Sequence, residues 1–320
     1  MTLERLAEAP IAHDPATSDF LSEVLAGLSL ARKSLPSRFF YDDRGSELFE
    51  QITELPEYYP TRTEIQLLTQ CAAEIADALP SGAAVVEFGS GSSRKTELLL
   101  SALRDPAAYI PVEISRAALY PAAARIAKLF PKLAVYPILG GFHVLDGLKL
   151  PGKRLTLIGF FPGSTIGNMD AAEAMSFLGA ARRLLGPDAF FLIGADLIKP
   201  LDILLPAYND ARGVTAAFNL NMLARINREL DGTFDLDAFE HEAVFNSEES
   251  RIEMYLRSKS TQTVQVFGHL FSFRAGETIH TENSYKYELT GFKALAAQSG
   301  WRSIKIWVDS NRLFSLHLLG

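Results

Sequence analysis

An alternation of short apolar runs with helical spacings through the middle of this chain limits its fold more than any other feature. Residues 83–88, 109–114, 135–139, 155–161 and 189–198 are apolar at nearly every position, as strands buried on both faces are. Between them, 95–103, 116–129 and 170–185 carry apolar residues at the spacing of an amphipathic helix. Buried strands alternating with helices predict a parallel, doubly wound α/β sheet covered on both faces. After Pro200 the rhythm changes. Residues 202 to about 229 read as mostly helical, and 243–245, 251–258, 262–267 and 270–274 as shorter alternating strands. A helix at 290–299 and strands at 303–308 and 313–318 then look like a return to the first sheet. The chain thus reads as an α/β core with a second, α+β unit inserted after Pro200.

With 320 residues, of which 48% are hydrophobic and 22% charged, the chain is globular and long enough for about two domains. Its 31 basic against 38 acidic residues leave a net charge of -7, which repels phosphate backbones and anionic lipid. Neither nucleic acid nor membrane is an expected partner. Glu4, Arg5 and Glu8 break up any signal-peptide core, and no run approaches the roughly 20 apolar residues that span a bilayer. Cys71, alone, can form neither an intrachain disulfide nor a multi-thiolate metal site, and a reducing cytoplasm fits it. The six histidines (His13, His143, His241, His269, His280, His317) lack metal-ligand spacing, so no metal is expected. Cys71, Trp301 and Trp307 read as packing residues.

The first chemical signal is Val85-Val86-Glu87-Phe88-Gly89-Ser90-Gly91-Ser92-Ser93-Arg94-Lys95, a strand passing through a glycine turn into a helix capped by Ser92 or Ser93. Gly89 and Gly91 let a ligand lie against bare backbone at the carboxyl end of the strand. Arg94 stands where a pyrophosphate-binding turn needs its third glycine. Glu113 closes the next strand, where an acid can accept ribose hydroxyls; by itself it would read as a solvated carboxylate. A nucleoside without phosphates suits this pair better than NAD, and S-adenosylmethionine is one. The terminal helix and hairpin at the sheet edge likewise fit a methyltransferase-type Rossmann fold better than a dehydrogenase.

Two further stretches could touch a substrate. Phe161-Pro162-Gly163-Ser164-Thr165-Ile166-Gly167-Asn168 follows the fourth strand and faces the same crevice as Gly89 and Gly91. There Asn168 either presents its amide oxygen to an amine or merely occupies a left-handed turn position. In Thr281-Glu282-Asn283-Ser284-Tyr285-Lys286-Tyr287, residues two apart share a face, so Glu282 and Ser284 point together. A carboxylate beside a hydroxyl can grip the two nitrogens of an imidazole. An ordinary polar strand face has the same pattern.

Taken in order, five stretches resemble the L-histidine Nα-methyltransferase family of ergothioneine biosynthesis. They are Arg38-Phe39-Phe40-Tyr41-Asp42-Asp43-Arg44-Gly45-Ser46, Leu55-Pro56-Glu57-Tyr58-Tyr59-Pro60-Thr61-Arg62, Glu87-Phe88-Gly89-Ser90-Gly91, Gly163-Ser164-Thr165-Ile166-Gly167-Asn168 and Thr281-Glu282-Asn283-Ser284. The likeness runs from about Leu35 to the C-terminus. It implies a class I methyltransferase core at 63–198 plus 289–320 and a substrate-binding domain from 1–62 plus 199–288, acting on L-histidine with S-adenosylmethionine to give the trimethylated betaine. By the same resemblance Gly89, Gly91, Lys95, Glu113, Gly141 and Phe142 contact the cofactor, and Tyr41 lies where cofactor and substrate join. Tyr58 and Asn168 hold the α-amino group, Tyr208 meets the substrate carboxylate, Met254 lines the pocket, and Glu282 with Ser284 recognises the imidazole. A monomer is expected. Two positions depart from the family pattern. Gly141 stands where the family has an acid before the adenine-side Phe142, so that acid's hydrogen bond is lost or supplied from elsewhere. Asn283 replaces a smaller apolar residue, and its side chain is expected to face away from Glu282. Methylation of another amine, or cofactor binding without turnover, are the competing readings.

Overall fold

The computed structural model describes residues 16–91, 93–141 and 155–320. These form two compact units, one from Pro60–Ile198 and Lys286–Gly320, the other from the residues up to Tyr59 and Lys199–Tyr285. Along the chain, α1 (Ala16–Ser29) and α2 (Asp43–Thr53) precede the long α3 (Tyr59–Ala78). Then come β1 (Ala84–Phe88), α4 (Arg94–Ala102), β2 (Ala108–Glu113), α5 (Arg116–Leu129), β3 (Ala134–Val135) and β4 (Ile138–Leu139). β5 (Leu157–Phe161), α6 (Ala171–Leu185) and β6 (Phe190–Asp196) complete the alternating stretch. The insertion holds α7 (Leu201–Leu204), α8 (Val214–Glu229), β7 (Phe239–Asn246), β8 (Arg251–Ser258), β9 (Gln262–Val266), β10 (His269–Phe273) and β11 (Thr278–Tyr285). α9 (Leu289–Gln298), β12 (Ser303–Val308) and β13 (Phe314–Leu319) end the chain.

The first unit is built on one sheet in the order β12-β13-β6-β5-β1-β2-β3, with β4 also on β2. β1, β2, β5 and β6 run parallel, and β13 joins β6 antiparallel with β12 outside it. The expected doubly wound sheet with a terminal hairpin is therefore present. The apolar strands follow from burial on both faces. Val86 and Phe88 of β1 pack with Phe177, Phe191 and Trp301 on one side, while Val85 packs with Leu67, Leu99 and Trp307 on the other. Strand order reverses between β1 and β5, so the loops after these two strands flank the crevice where open α/β sheets bind ligands.

Three local expectations change. The strand at 135–139 is two short pieces, because Pro137 between them has no N–H for the ladder. The mostly helical stretch over 202–229 is resolved into separate pieces: Pro206 lies in a 3-10 turn, Leu205–Ala207, after α7. α8 then starts afresh where Asp210 accepts the Val214 and Thr215 amides at 3.0 and 2.7 Å. The strand at 243–245 is the end of an eight-residue strand, β7. In the second unit, β11-β8-β7 form an antiparallel sheet and β9 and β10 a separate hairpin. Among the described residues no helix is long and apolar enough to cross a membrane.

An ion pair that neither partner's local sequence foretells lies inside the first unit. Lys286 Nζ stands 2.9 Å from Asp196 Oδ2, and both side chains are 1% exposed. Backbone bonds from Tyr287 to Asp196 and from Ile198 to Tyr287, at 2.9 and 3.2 Å, hold the two segments side by side. Stranding one member of such a pair leaves an uncompensated buried charge. Lys286→Met is thus expected to destabilise the protein by about 3–5 kcal/mol in denaturant melts; a change within about 0.5 kcal/mol, the size of an ordinary surface substitution, would contradict the pairing.

Candidate active site

In the first unit β1 ends in a turn with Gly89 (φ 72) and Gly91 (φ 46) both left-handed, a geometry open to glycine at no steric cost. Glu113, at the end of β2, fixes that turn. Its Oε2 accepts the Gly91 amide at 2.9 Å, and its Oε1 accepts the Ile114 and Ser115 amides at 2.9 and 3.0 Å. Among the described residues, three of about four acceptor positions on the carboxylate are thereby taken, which leaves one on Oε2. Among the same residues, the Ser90 hydroxyl between the two glycines is buried without a hydrogen-bond partner. Gly140 donates to the Glu113 carbonyl at 2.9 Å, which sets Gly140 and Gly141 beside the end of β2. Phe142 and Ser92 lie outside the described residues.

The expected serine cap takes a different form. Ser93 precedes α4 in a left-handed conformation and makes no side-chain cap. Its hydroxyl instead meets the Tyr109 hydroxyl at 2.9 Å, because a buried polar cluster under the turn claims it. The centre of that cluster is Glu87, which accepts from Thr96 Oγ1 at 2.5 Å and from the Tyr109 hydroxyl. Burial pushes the Glu87 carboxyl up to about 8, even though the Thr96 and Tyr109 hydrogen bonds pull the other way. Burial and the neighbouring Glu87 also raise Tyr109 well above the ordinary tyrosine value.

Lys95, in the first turn of α4, pairs with the buried Glu64 of α3 at 2.6 Å. After β5 the chain turns through Gly163 (φ 81) and Ser164 (φ 57) into the 3-10 turn Thr165–Asn168. The turn is held on two sides: Ser164 Oγ accepts the Asp196 amide at 2.9 Å, and the Tyr287 hydroxyl donates to the Ile166 carbonyl at 3.1 Å. Asn168 is half-buried and is not one of the left-handed residues, so the turn-former reading does not account for it.

The second unit brings together Tyr41, Tyr58, Tyr208, Met254, Glu282 and Ser284. Asp42, the cap of α2, anchors the Tyr41 segment: it accepts from Asn221 at 2.7 Å and from Arg228 at 2.6 Å, both on α8. Tyr41 meets Phe49 and Phe218 edge-on, with ring centroids at 5.5 and 5.8 Å. Phe49 reaches Tyr58 at 6.3 Å, and Tyr58 reaches Tyr208 at 6.5 Å. The Tyr208 hydroxyl is 2.7 Å from Ser284 Oγ. In the sheet Glu282 stands opposite Met254, and Ser284 opposite Ile252. Residues directly opposite share a face, so Glu282, Ser284 and Met254 point the same way. Asn283 points the other way, as expected, and its Oδ1 lies 2.9 Å from His280 Nε2.

Behind Tyr208 lies a support absent from the sequence reading. His241 Nε2 is 2.8 Å from the Tyr208 carbonyl, which can only accept, so Nε2 carries the hydrogen. Nδ1 is then the acceptor for the Asn219 amide at 2.9 Å. Burial lowers His241 below the ordinary histidine value, which favours this neutral form. Of the other described histidines, His280 is held by Asn283, His317 is buried in β13, where burial pushes it down to about 4, and His269 is exposed. Cys71 is half-buried against the core, as expected of a packing residue. Glu64, His241, Asn219 and Phe218 were missed because their partners are distant in sequence.

The family described as "Histidine-specific methyltransferase, SAM-dependent" matches residues 20–320. A "Histidine N-alpha-methyltransferase" of Mycolicibacterium smegmatis is 45% identical over 315 residues, 96% of this chain and 97% of that one. Another of the same description, from Mycobacterium tuberculosis, is 42% identical over 303 residues, covering 92% and 93%. "Ergothioneine biosynthesis protein 1" of Neurospora crassa is 33% identical over 297 residues, 90% of this chain and 33% of that longer one.

Glu87 makes the stability of the first unit depend on pH in a defined direction. Between its ordinary 4.5 and the folded value of about 8, the folded state holds a proton that the unfolded state has released. Its contribution is therefore complete below 4.5 and is lost as pH rises through about 8. Glu87→Gln cannot ionise, so its melting temperature should fall less than that of the wild type between about pH 5 and pH 8. Parallel curves for the two proteins would show that Glu87 is charged in the folded state.

Proposed function

The chain belongs to the family of SAM-dependent, histidine-specific methyltransferases, and we propose that it methylates the α-amino group of L-histidine three times, giving Nα,Nα,Nα-trimethyl-L-histidine (hercynine) for ergothioneine biosynthesis. In this reading the first unit is the methyltransferase core and the second the substrate-binding domain. The observation that carries it is the shared face of Glu282, Ser284 and Met254, with Tyr208 bonded to Ser284.

The residues of the first unit fit S-adenosylmethionine. Among the described residues, a buried hydroxyl at Ser90 without a partner, bare backbone at Gly89 and Gly91, and an acceptor position left on Glu113 suit a nucleoside carrying an amino-acid tail. When bound, it supplies an electrophilic methyl group on a sulfonium. Glu113 accepts a ribose hydroxyl, Lys95 meets the amino-acid portion, and Gly141 and Phe142 flank the adenine.

Toward histidine, Glu282 takes the ring N–H, because a carboxylate only accepts. Ser284 gives its one hydrogen to Tyr208, so its oxygen accepts from the other ring nitrogen as an N–H. Tyr208 donates to the substrate carboxylate, and its bond to Ser284 keeps the two assigned contacts adjacent. Tyr58 and Asn168 orient the amine, with Tyr41 beside the reacting atoms. The nucleophile is the substrate nitrogen itself, so these side chains act by holding an unprotonated amine in line rather than by forming a bond. A pocket of polar partners rejects an apolar amino acid because those partners would stay buried and unpaired. The enzyme works as a monomer in a reducing cytoplasm, where its single cysteine needs no mate.

Purified protein mixed with S-adenosylmethionine and histidine should yield mono-, di- and trimethylated masses. No methylated histidine, with a different amine consumed from a panel, would refute the substrate. Glu282→Ala should raise the KM for histidine by about 10–100-fold while leaving that for the methyl donor within about 2-fold, as expected for loss of a charged hydrogen bond to one ligand only. Equal damage to both constants would contradict its role.

A further inference from the structure

Glu64 has a fully buried side chain, and no role above uses it directly. Its Oε2 stands 2.6 Å from Lys95 Nζ. The same carboxylate accepts the Gly163 amide, at 2.8 Å on Oε2 and 3.1 Å on Oε1. β6 leaves space for it, since a Cβ on Gly194 would fall 2.1 Å from Glu64 Oε1. A Cβ on Gly163 would come within 3.4 Å of Lys95 Nζ, so the lysine packs against the turn as well. α3, α4, β6 and the loop after β5 thus converge on one carboxylate. A charge so removed from water persists only when paired and hydrogen-bonded, and this one is both.

That convergence links two assigned contacts. A lysine ammonium is a point charge on a flexible stem, and it gains direction only when something holds it. Gly163 opens the turn that ends in Asn168. We propose that Glu64 is a positioning residue for the methyl transfer, fixing from one point the ammonium of Lys95 and the start of the turn that presents Asn168. The proposal rests on the histidine methyltransferase reading for what Lys95 and Asn168 do. Glu64 itself acts through those two groups and touches neither ligand.

The test compares wild type, Glu64→Gln, Glu64→Asp, Lys95→Met and the double variant Glu64→Gln/Lys95→Met, each as the full chain. Calorimetry with S-adenosylhomocysteine gives affinity, steady-state kinetics gives kcat, and melting temperature reports folding separately. Glu64→Gln should bind S-adenosylhomocysteine about 10-fold more weakly and lose a similar factor in kcat, the loss expected of a charge-assisted contact. Glu64→Asp, which keeps the charge, should recover part of the affinity. The double variant should bind no more weakly than Lys95→Met, because Glu64 acts through that lysine. The proposal is overturned if Glu64→Gln lowers only the melting temperature, leaving the Kd and kcat of the folded protein unchanged. It is also overturned if the two single losses add in the double variant. The binding arm does not involve histidine, so its outcome stands apart from the fate of the substrate reading.

Discussion

One extra residue in β11 decides which side chains its sheet can offer a ligand. Pairing runs regularly from Thr278 to His280 and resumes at Glu282, so Thr281 is a bulge. Ile279 stands opposite Leu256; with strict two-residue alternation, Thr281 and Asn283 would next join it on the face of Leu256 and Met254. The insertion puts Glu282 and Ser284 there instead. Thr281 also secures the bulge, since its hydroxyl donates to the Met254 carbonyl at 3.1 Å. The pair assigned to the imidazole therefore depends on a backbone irregularity as much as on its own chemistry. A slip of one residue would turn both groups away.

Polar groups held this far from water need partners, and both units supply them by distant contacts. In the second unit Ser284 is tied to Tyr208, whose backbone is held by His241, which is held in turn by Asn219. In the first unit three carboxyl groups near the glycine turn are used in three ways. Glu113 is fixed by backbone amides, Glu64 by an ammonium, and Glu87 by hydroxyls in a site that favours its neutral form. The same functional group thus serves as a loop clamp, an ion-pair anchor and a buried proton carrier. Environment alone separates the roles.

The parts legible in the sequence were those determined by near neighbours. The sheet was readable because burial on both faces leaves continuous apolar runs, and the Gly89–Gly91 turn because strand, turn and helix follow one another directly. Pro137 splits the strand at 135–139, although the apolar residues on both sides of it carry the pattern of one strand. Glu282 and Ser284 came to attention through simple alternation. The bulge that puts them on the face of Met254 depends on β8 and could not be seen from β11 alone. Glu64 is 31 residues from Lys95 and 99 from Gly163, and no local pattern marks such a pairing. Glu87 belonged to the glycine motif, but the burial that raises its carboxyl comes from the packed interior around it and has no local sequence mark.

The most direct measurement is a crystal structure with S-adenosylhomocysteine and L-histidine bound. It should show one imidazole nitrogen within hydrogen-bond distance of the Glu282 carboxylate and the other within reach of Ser284 Oγ, with the α-amino group toward Tyr58 and Asn168. A bound histidine whose ring lies away from Glu282 and Ser284, with those side chains in solvent, would contradict the account.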